Sequence, residues 1–468
     1  MKNKSITSRD VDFAAWYTDV VKAAKLASYS NVKGCVVIEP NGYAIWEQMQ
    51  KTLDRMFKET GHQNICMPML IPENLMRKEG ELINGFAPEV AWVTMGGQKT
   101  LEERMCIRPT SETLFSDYYS TKVKSYRDLP IKYNQWCNVL RWEKETRPFL
   151  RSREILWQEG HTMHASEEEA REETLKMLNV YKDIQENYLA LPVLTGKKTE
   201  KEKFAGAVET YTLEAMMYDG VALQNGTSHY FGQGFAKAFD IQFLNKDNKL
   251  ETPYQTSWGV STRMIGGLIM THSDDNGLVL PPMVAPTKVA IIPIGDVNEV
   301  VDRVTEELKA NEITFIVDDS DKSPGFKFAE AEVKGYPIRL EVGKRDLDNG
   351  FVTLVRRDTL EKIQVSVDEV LDKVKFLLVD IQANLFNRAK ERRDSMIHTA
   401  ENYDEFKDIA ANKPGFIISK WCGNVDCENK IKEDTTFKSR CIIDEEKSGK
   451  CVCCGEDANY KLYWGKQY

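Results

Sequence analysis

Six of the ten cysteines crowd into the last stretch of the chain, and no other feature restricts its fold as tightly. Cys422-x4-Cys427 is followed by Cys451-x2-Cys454. Two close pairs of thiolates at this spacing can wrap a tetrahedral zinc ion and leave no coordination position open. A closed four-sulfur site is structural, so the tail reads as a small zinc-binding domain. Reduced thiols without a metal are the alternative, and Cys441 and Cys453 are alternate ligands. Cys35, Cys66, Cys106 and Cys137 are scattered and read as buried thiols.

A chain of 468 residues with 42% hydrophobic positions can bury several cores, about three at ordinary domain sizes. The opening MKNKSITSRDVDFAAWY lacks the basic-then-apolar order of a signal peptide, and no apolar run is long enough to cross a bilayer. A cytoplasmic protein with no membrane partner is expected. The net charge of −9 excludes a protein that coats nucleic acid indiscriminately, because such binding needs a broad basic surface. The same charge leaves room for a local basic tract.

Three organisational units are expected, spanning 1–286, 287–385 and 386–468. In the first, GCVVIEPNGYAIWEQMQKTLDRMFKETG joins an apolar run, a Pro-Asn-Gly turn and a long amphipathic helix carrying Ile45, Met49, Leu53 and Met56, which stops at Gly61. NICMPMLIP, residues 64–72, has strand character. IKYNQWCNVLRWE and ILWQEGHTMHA read as two strands flanking the charged loop KETRPFLRSRE, which implies a mostly antiparallel sheet carrying helices. Beyond Pro286, KVAIIPI, VNEVVDRVTEELKA, TFIVDD and PIRLEVG alternate strand and helix, as a compact α/β domain does. From about Leu360 to Asn412 helix formers dominate.

Polar clusters recur at the expected strand ends: Arg108 to Glu112, Arg141-Trp142-Glu143, Thr227-Ser228-His229 and Ser261-Thr262-Arg263. They lie within RPTSE, RWEKETRPFLRSREILWQEGH, LQNGTSHYFGQGFAKAFD and SWGVSTRMIGGLIMTHSDDNGLVLPP. In this order the segments resemble the active-site motifs of the prolyl-tRNA synthetases, and the likeness runs to Tyr468. The resemblance implies an α+β class II synthetase catalytic domain, an antiparallel sheet with helices. An α/β anticodon-binding domain and a zinc-containing α/β tail follow it. It further implies a homodimer built on the helix near Gly42 and the strand ending near Pro68. ATP with Mg2+, L-proline and tRNA(Pro) are the implied reactants, and AMP and pyrophosphate the by-products.

The same resemblance distributes roles. Arg141 and Arg263 are the implied catalytic residues, with Arg141 gripping both α-phosphate and carboxylate. Glu143, Arg151, Gln224, Thr227 and Ser261 complete the ATP contacts. Fixed guanidinium groups suit this task because negative charge grows on the phosphoryl oxygens during attack. Proline carries a secondary ammonium on a small apolar ring, so its site needs an anionic acceptor beside a tight wall. Thr110 and Glu112 match the acceptor, His229 is the matching residue near the ring, and Trp157, His161 and Phe204 are walls. GKKTEKEKFAGA lies near the adenylate pocket by the same likeness and lacks Walker spacing. Lys327, Arg339, Glu341, Lys344 and Arg345 are the anticodon candidates, since splayed bases expose edges that such side chains can read.

No covalent nucleophile is expected, because the substrates' own carboxylate and hydroxyl attack. A tail with zinc that ends in tyrosine is similar to the archaeal and eukaryote-like branch, which implies no editing insertion and a role for Tyr468 beside the active site. Alanine and cysteine are then the competitors, since one missing methylene changes binding by only about 1–3 kcal/mol. A threonyl enzyme would hold zinc in its catalytic domain, and a noncatalytic paralogue would lose Arg141, Glu143 or Arg263. A third alternative takes the tail alone as a nucleic-acid-binding zinc ribbon.

Overall fold

The computed structural model describes residues 6–78, 90–445 and 447–468. Its first helix, Phe13–Ala23, starts where the Asp12 side chain accepts from the Ala15 amide. The second, Pro40–Glu59, buries Ile45, Met49, Leu53 and Met56 on one face. Pro-Asn-Gly proves to be the first turn of this helix and not a turn before it. Proline suits that position because its missing N–H would have had no helical partner. At Gly42 a Cβ would stand 2.2 Å from the Leu26 carbonyl oxygen, so the helix start abuts the backbone just after the first helix. Gly61, with φ +83°, takes the chain out of the helix.

One eleven-stranded sheet organises the molecule. Its catalytic half runs Val193–Lys197, Glu209–Met216, Ala222–Gly232, Tyr254–Ser261, Glu154–His164 and Ile131–Leu140, all antiparallel neighbours, with Gln63–Asn64 added in parallel at the edge. The other half comes from the tail: Lys438–Asp444, Tyr460–Gly465, Phe416–Trp421 and Ile397–Thr399. The halves meet at the pair Ile442 and Lys197. Beneath that seam, fully buried Glu214 accepts from Lys198 at 2.7 Å and from Arg440 of the tail at 3.1 Å.

NICMPMLIP does not form the continuous strand its composition suggests. Only Gln63–Asn64 and Leu70–Pro72 pair, in different sheets. Between them the Met67 amide donates to the Gln135 side chain, and the Met67 and Pro68 carbonyls accept from Arg108. Side chains here do the work of a ladder that Pro68 could not complete.

The second unit has the sheet order Phe315–Val317, Val289–Ile294, Ile338–Gly343, Val352–Arg356, Lys362–Val365, the first three parallel and the last two antiparallel additions. Helices Asn298–Ala310, Pro324–Lys334 and Val370–Ser395 accompany it. The long last helix buries Val370, Val374, Leu377, Ile381 and Leu385 against Val289, Ile291 and Leu340. Arg357 joins this unit to the first through a bidentate pair with Asp274, at 2.8 and 2.6 Å. The Leu278 amide donating to Val333 reinforces the joint. In the tail, Phe406, Trp421 and Trp464 anchor a separate core. The architecture is thus an antiparallel sheet with helices, an α/β domain and an α/β tail. Among the described residues no helix is long and apolar enough to cross a membrane.

Candidate active site

Side chains from four neighbouring strands converge on a cavity of about 220 Å³. On Glu154–His164, strand alternation presents Trp157 and Glu159 to it. On Tyr254–Ser261 it presents Ser257 and Ser261. Gln224, Thr227 and His229 are not spaced by twos, yet all line the cavity. The register supplies the reason: Glu214 pairs with Gln224 and Thr212 with Thr227, so the second strand carries one extra residue there. That bulge brings the three onto one face.

One end of the cavity is acidic. Thr110 donates to Glu112 Oε2 at 2.5 Å and Ser257 to Oε1 at 3.2 Å. Burial pushes the Glu112 carboxyl above its usual value, with neighbouring Glu159 adding to the shift and His161 opposing it. For Glu159 burial acts in the same direction, but the contacts from His161, Ser111 and Gln135 outweigh it and hold the carboxyl low. His229 Nδ1 meets Thr210 Oγ1 at 3.0 Å, and its ring packs 4.6 Å from Phe204. Burial lowers its pKa to about 3, so the imidazole is neutral at pH 7. His161, expected as a wall, is not in the cavity lining. Its ring stacks on Phe115 at 4.1 Å and its Nε2 bonds Glu159.

The other end is cationic. The Arg141 backbone is tied to Arg153, its Nε donates to the Pro109 carbonyl at 3.0 Å, and its guanidinium lies 5.3 Å from the Trp157 ring centre. Arg263 opens the helix Arg263–His272 and is held by the Leu150 carbonyl at 3.1 Å and the Gln224 carbonyl at 3.2 Å. Burial, and then the charges of Arg141 and Arg151, bring its pKa down to about 10. A second cavity of about 300 Å³ shares Arg263 and adds Arg147, Arg151 and Tyr468. Arg147 and Arg151 exchange backbone hydrogen bonds that fold the charged loop into a hairpin. Glu143 stands 3.5 Å from Arg151 and lines neither cavity. Tyr468 reaches the second cavity through its amide on the Ala222 carbonyl and its hydroxyl on Asp219, at 2.5 Å.

Thr110, Glu112, Arg141, Trp157, Phe204, Gln224, Thr227, His229, Ser261 and Arg263 therefore share one cavity. Glu159, Thr210 and Ser257 also line it and were not among the expected residues. Glu159 was within reach of sequence reasoning, because it lies between Trp157 and His161 at the same strand parity.

The anticodon candidates sit apart on the second unit. Lys327 is buried and donates to the Asp318 carbonyl; Arg339 is paired with Glu341 and Glu332. Lys362 approaches Glu341 at 3.3 Å. Lys344 and Arg345 are exposed. In the tail, the sulfurs of Cys422, Cys427, Cys451 and Cys454 lie within 4.8 Å of one another and can hold a metal ion. Cys453 is outside this group, and Cys441 is buried beside Gly196.

Three family models match the chain: the tRNA synthetase class II core domain (G, H, P, S and T) over 92–272, the anticodon binding domain over 288–377, and the prolyl-tRNA synthetase C-terminal domain over 403–468. The proline–tRNA ligase of Lachnospira eligens is 58% identical, covering 99% of this chain and 98% of its own. That of Clostridium novyi is 57% identical with the same coverage. The crystal structure of prolyl-tRNA synthetase from Cryptosporidium parvum, complexed with halofuginone and AMPPNP, has a TM-score of 0.95 at 38% identity and covers 99% of both chains. With near-complete coverage by relatives this similar, the chain belongs to the prolyl-tRNA synthetases, the class II proline–tRNA ligases.

Proposed function

We propose that the two-ended cavity binds L-proline at the Glu112 end and ATP at the arginine end, and joins them as prolyl-adenylate before transfer to tRNA(Pro). One observation carries this reading: a buried carboxylate and two fixed guanidinium groups face the same small cavity. Glu112 pairs with the secondary ammonium and Thr110 steadies the carboxylate. Neutral His229, Phe204 and Trp157 enclose the ring. Arg141 holds the proline carboxylate against the α-phosphate while Arg263 meets the nucleotide, with Gln224, Thr227 and Ser261 supplying polar contacts and Glu143 and Arg151 acting from the loop.

The carboxylate oxygen attacks the α-phosphorus, a P–O bond forms, and pyrophosphate leaves. Charge spreading over the phosphoryl oxygens is met by guanidiniums already in place, so little reorganisation is needed during reaction. Mg2+ accompanying ATP supplies further charge neutralisation. In the second step the terminal hydroxyl of the tRNA attacks the acyl carbonyl and AMP leaves.

The tail suits zinc. At about 2.3 Å per Zn–S bond, the edge of a tetrahedral four-sulfur site is about 3.8 Å; Cys422 lies 3.7 Å from Cys427 and 3.8 Å from Cys454. Cys422, Cys427, Cys451 and Cys454 would hold the ion with a structural role. This four-sulfur tail supports the archaeal and eukaryote-like branch without an editing insertion, although the relatives named above include bacterial enzymes. The units 1–286, 287–385 and 386–468 would serve catalysis, anticodon binding and zinc binding in a cytoplasmic homodimer. Exposed Arg345 and Lys344, the latter paired with exposed Asp348 at 3.2 Å, can meet RNA at the surface, whereas buried Lys327, Arg339 and Glu341 would exchange interior partners. Amino-acid-dependent exchange of pyrophosphate into ATP tests the reading. Strong exchange with proline, weak exchange with alanine or cysteine and none with threonine is expected; no exchange with proline in a folded sample would reject it.

A further inference from the structure

Glu159 lines the cavity, yet its own oxygens are already engaged by the protein. Oε1 accepts from Ser111 Oγ at 2.5 Å, from Gln135 Nε2 at 2.6 Å and from Cys137 Sγ at 3.6 Å. Oε2 meets His161 Nε2 at 2.9 Å. The residue is 2% exposed. A buried anion of this kind costs stability rather than adding it, since an apolar or neutral group would need no such set of donors.

Two consequences follow from where these donors lie. Ser111 stands between Thr110 and Glu112, so its bond to Glu159 fixes the segment that aims both of them into the cavity. And because the contacts from His161, Ser111 and Gln135 favour the ionised form of Glu159, the acidic end carries a second carboxylate beside Glu112. A field of this sort favours a cation over a neutral ligand of the same shape, most strongly where water is excluded.

We propose that Glu159 is a specificity-determining positioning residue, which orients Thr110 and Glu112 through Ser111 and selects a cationic ring nitrogen by its fixed charge. The inference rests on the reading of Glu112 as the ammonium acceptor.

The test compares proline with tetrahydrofuran-2-carboxylate, in which a ring oxygen replaces the ammonium nitrogen, using pyrophosphate exchange by the full-length enzyme. For Glu159→Gln the KM for proline should rise about tenfold, more than kcat falls, while the inhibition constant of the ether analogue stays within about twofold. Glu159→Asp retains the charge and should restore most of the preference for proline over the ether. An unchanged KM for proline in Glu159→Gln overturns the proposal. So does equal weakening of proline and ether, which is what a prop without electrostatic action would give. If Glu159→Gln does not fold, as judged by melting and ATP affinity, the Asp variant decides: a lost proline-to-ether preference with intact folding rejects the idea. Glu112→Gln run in parallel separates the two readings. If it too leaves proline binding intact, the assignment of the acidic end fails; if only Glu159→Gln does, the present inference alone fails.

Discussion

At the Glu112 end of the cavity hydrogen bonds answer the protein's own charges, whereas at the Arg263 end guanidinium groups crowd together and Glu143 and Glu214 offset them only in part. Glu112 has Thr110 and Ser257, Glu159 has Ser111, Gln135 and His161, and His229 is neutral. Arg263 is held by the carbonyl oxygens of Leu150 and Gln224, and burial, then the charges of Arg141 and Arg151, lower its pKa against the opposing pull of Glu143 and Glu214. The first end is thus prepared for a small cation by hydrogen bonds, and the second waits for a polyanion to relieve repulsion. Such preorganised positive charge is most useful where negative charge develops in a transition state.

The strongest way to break this comparison is at the cationic end. Arg263→Ala should lower kcat for pyrophosphate exchange about 10²–10³-fold, the scale found when one preorganised donor is removed, with a smaller change in the KM for proline. A second large effect lies beneath that end, where Glu214 is paired with Gln224 across the sheet and neutralises Lys198 and Arg440. Glu214→Gln leaves both cations buried without a counter-charge and should cost about 3–5 kcal/mol in denaturant unfolding. An unchanged midpoint would show that the tail does not depend on this seam.

Acidification sharpens the contrast. His229 and His272 have pKa values lowered to about 3, and His164 to about 4, chiefly by burial. Unfolded histidines take up protons near pH 6.5, so between that value and the folded ones the unfolded chain binds more protons. Stability is full above about pH 6.5 and falls as pH drops, by about 1.4 kcal/mol per pH unit for each such group. Melting temperature should therefore decline from pH 7 to 5, and His229→Gln should shallow that decline. The same low value predicts no step from His229 in the proline kcat/KM profile between pH 5 and 8. The smallest effect belongs to the half-exposed Arg151–Glu143 pair at 3.5 Å. Glu143→Gln should alter the KM for ATP less than about fivefold through that pair, because exposed pairs contribute about 0–1 kcal/mol. A larger change would mean that Glu143 touches the nucleotide itself.

Much of the architecture was legible because its periodicities are local. The helix over Pro40–Glu59 and the strands Ile131–Leu140 and Glu154–His164 follow from apolar spacing alone. Where side chains replace ladder partners, as Gln135 and Arg108 do around Met67 and Pro68, composition misled. The seam between the tail and the catalytic sheet was invisible for a related reason: it rests on Ile442 meeting Lys197 and on Glu214 meeting Arg440, residues far apart in sequence. In the site, motif order brought ten expected side chains to one cavity. Glu159 escaped although Trp157 at the same strand parity did not, because nothing in the sequence says which hydroxyl a buried strand carboxylate will hold. The bulge after Gln224 likewise conceals why Gln224 and Thr227 share a face.

The division of labour between the two ends is tested most directly by measuring exchange kinetics for Glu112→Gln and Arg263→Lys side by side, varying proline and ATP separately. Glu112→Gln should raise the KM for proline about tenfold or more, with the KM for ATP nearly unchanged. Arg263→Lys should instead lower kcat and weaken ATP while sparing proline. Equal shifts in both substrates for both variants, or an unaltered KM for proline in Glu112→Gln, would contradict that division.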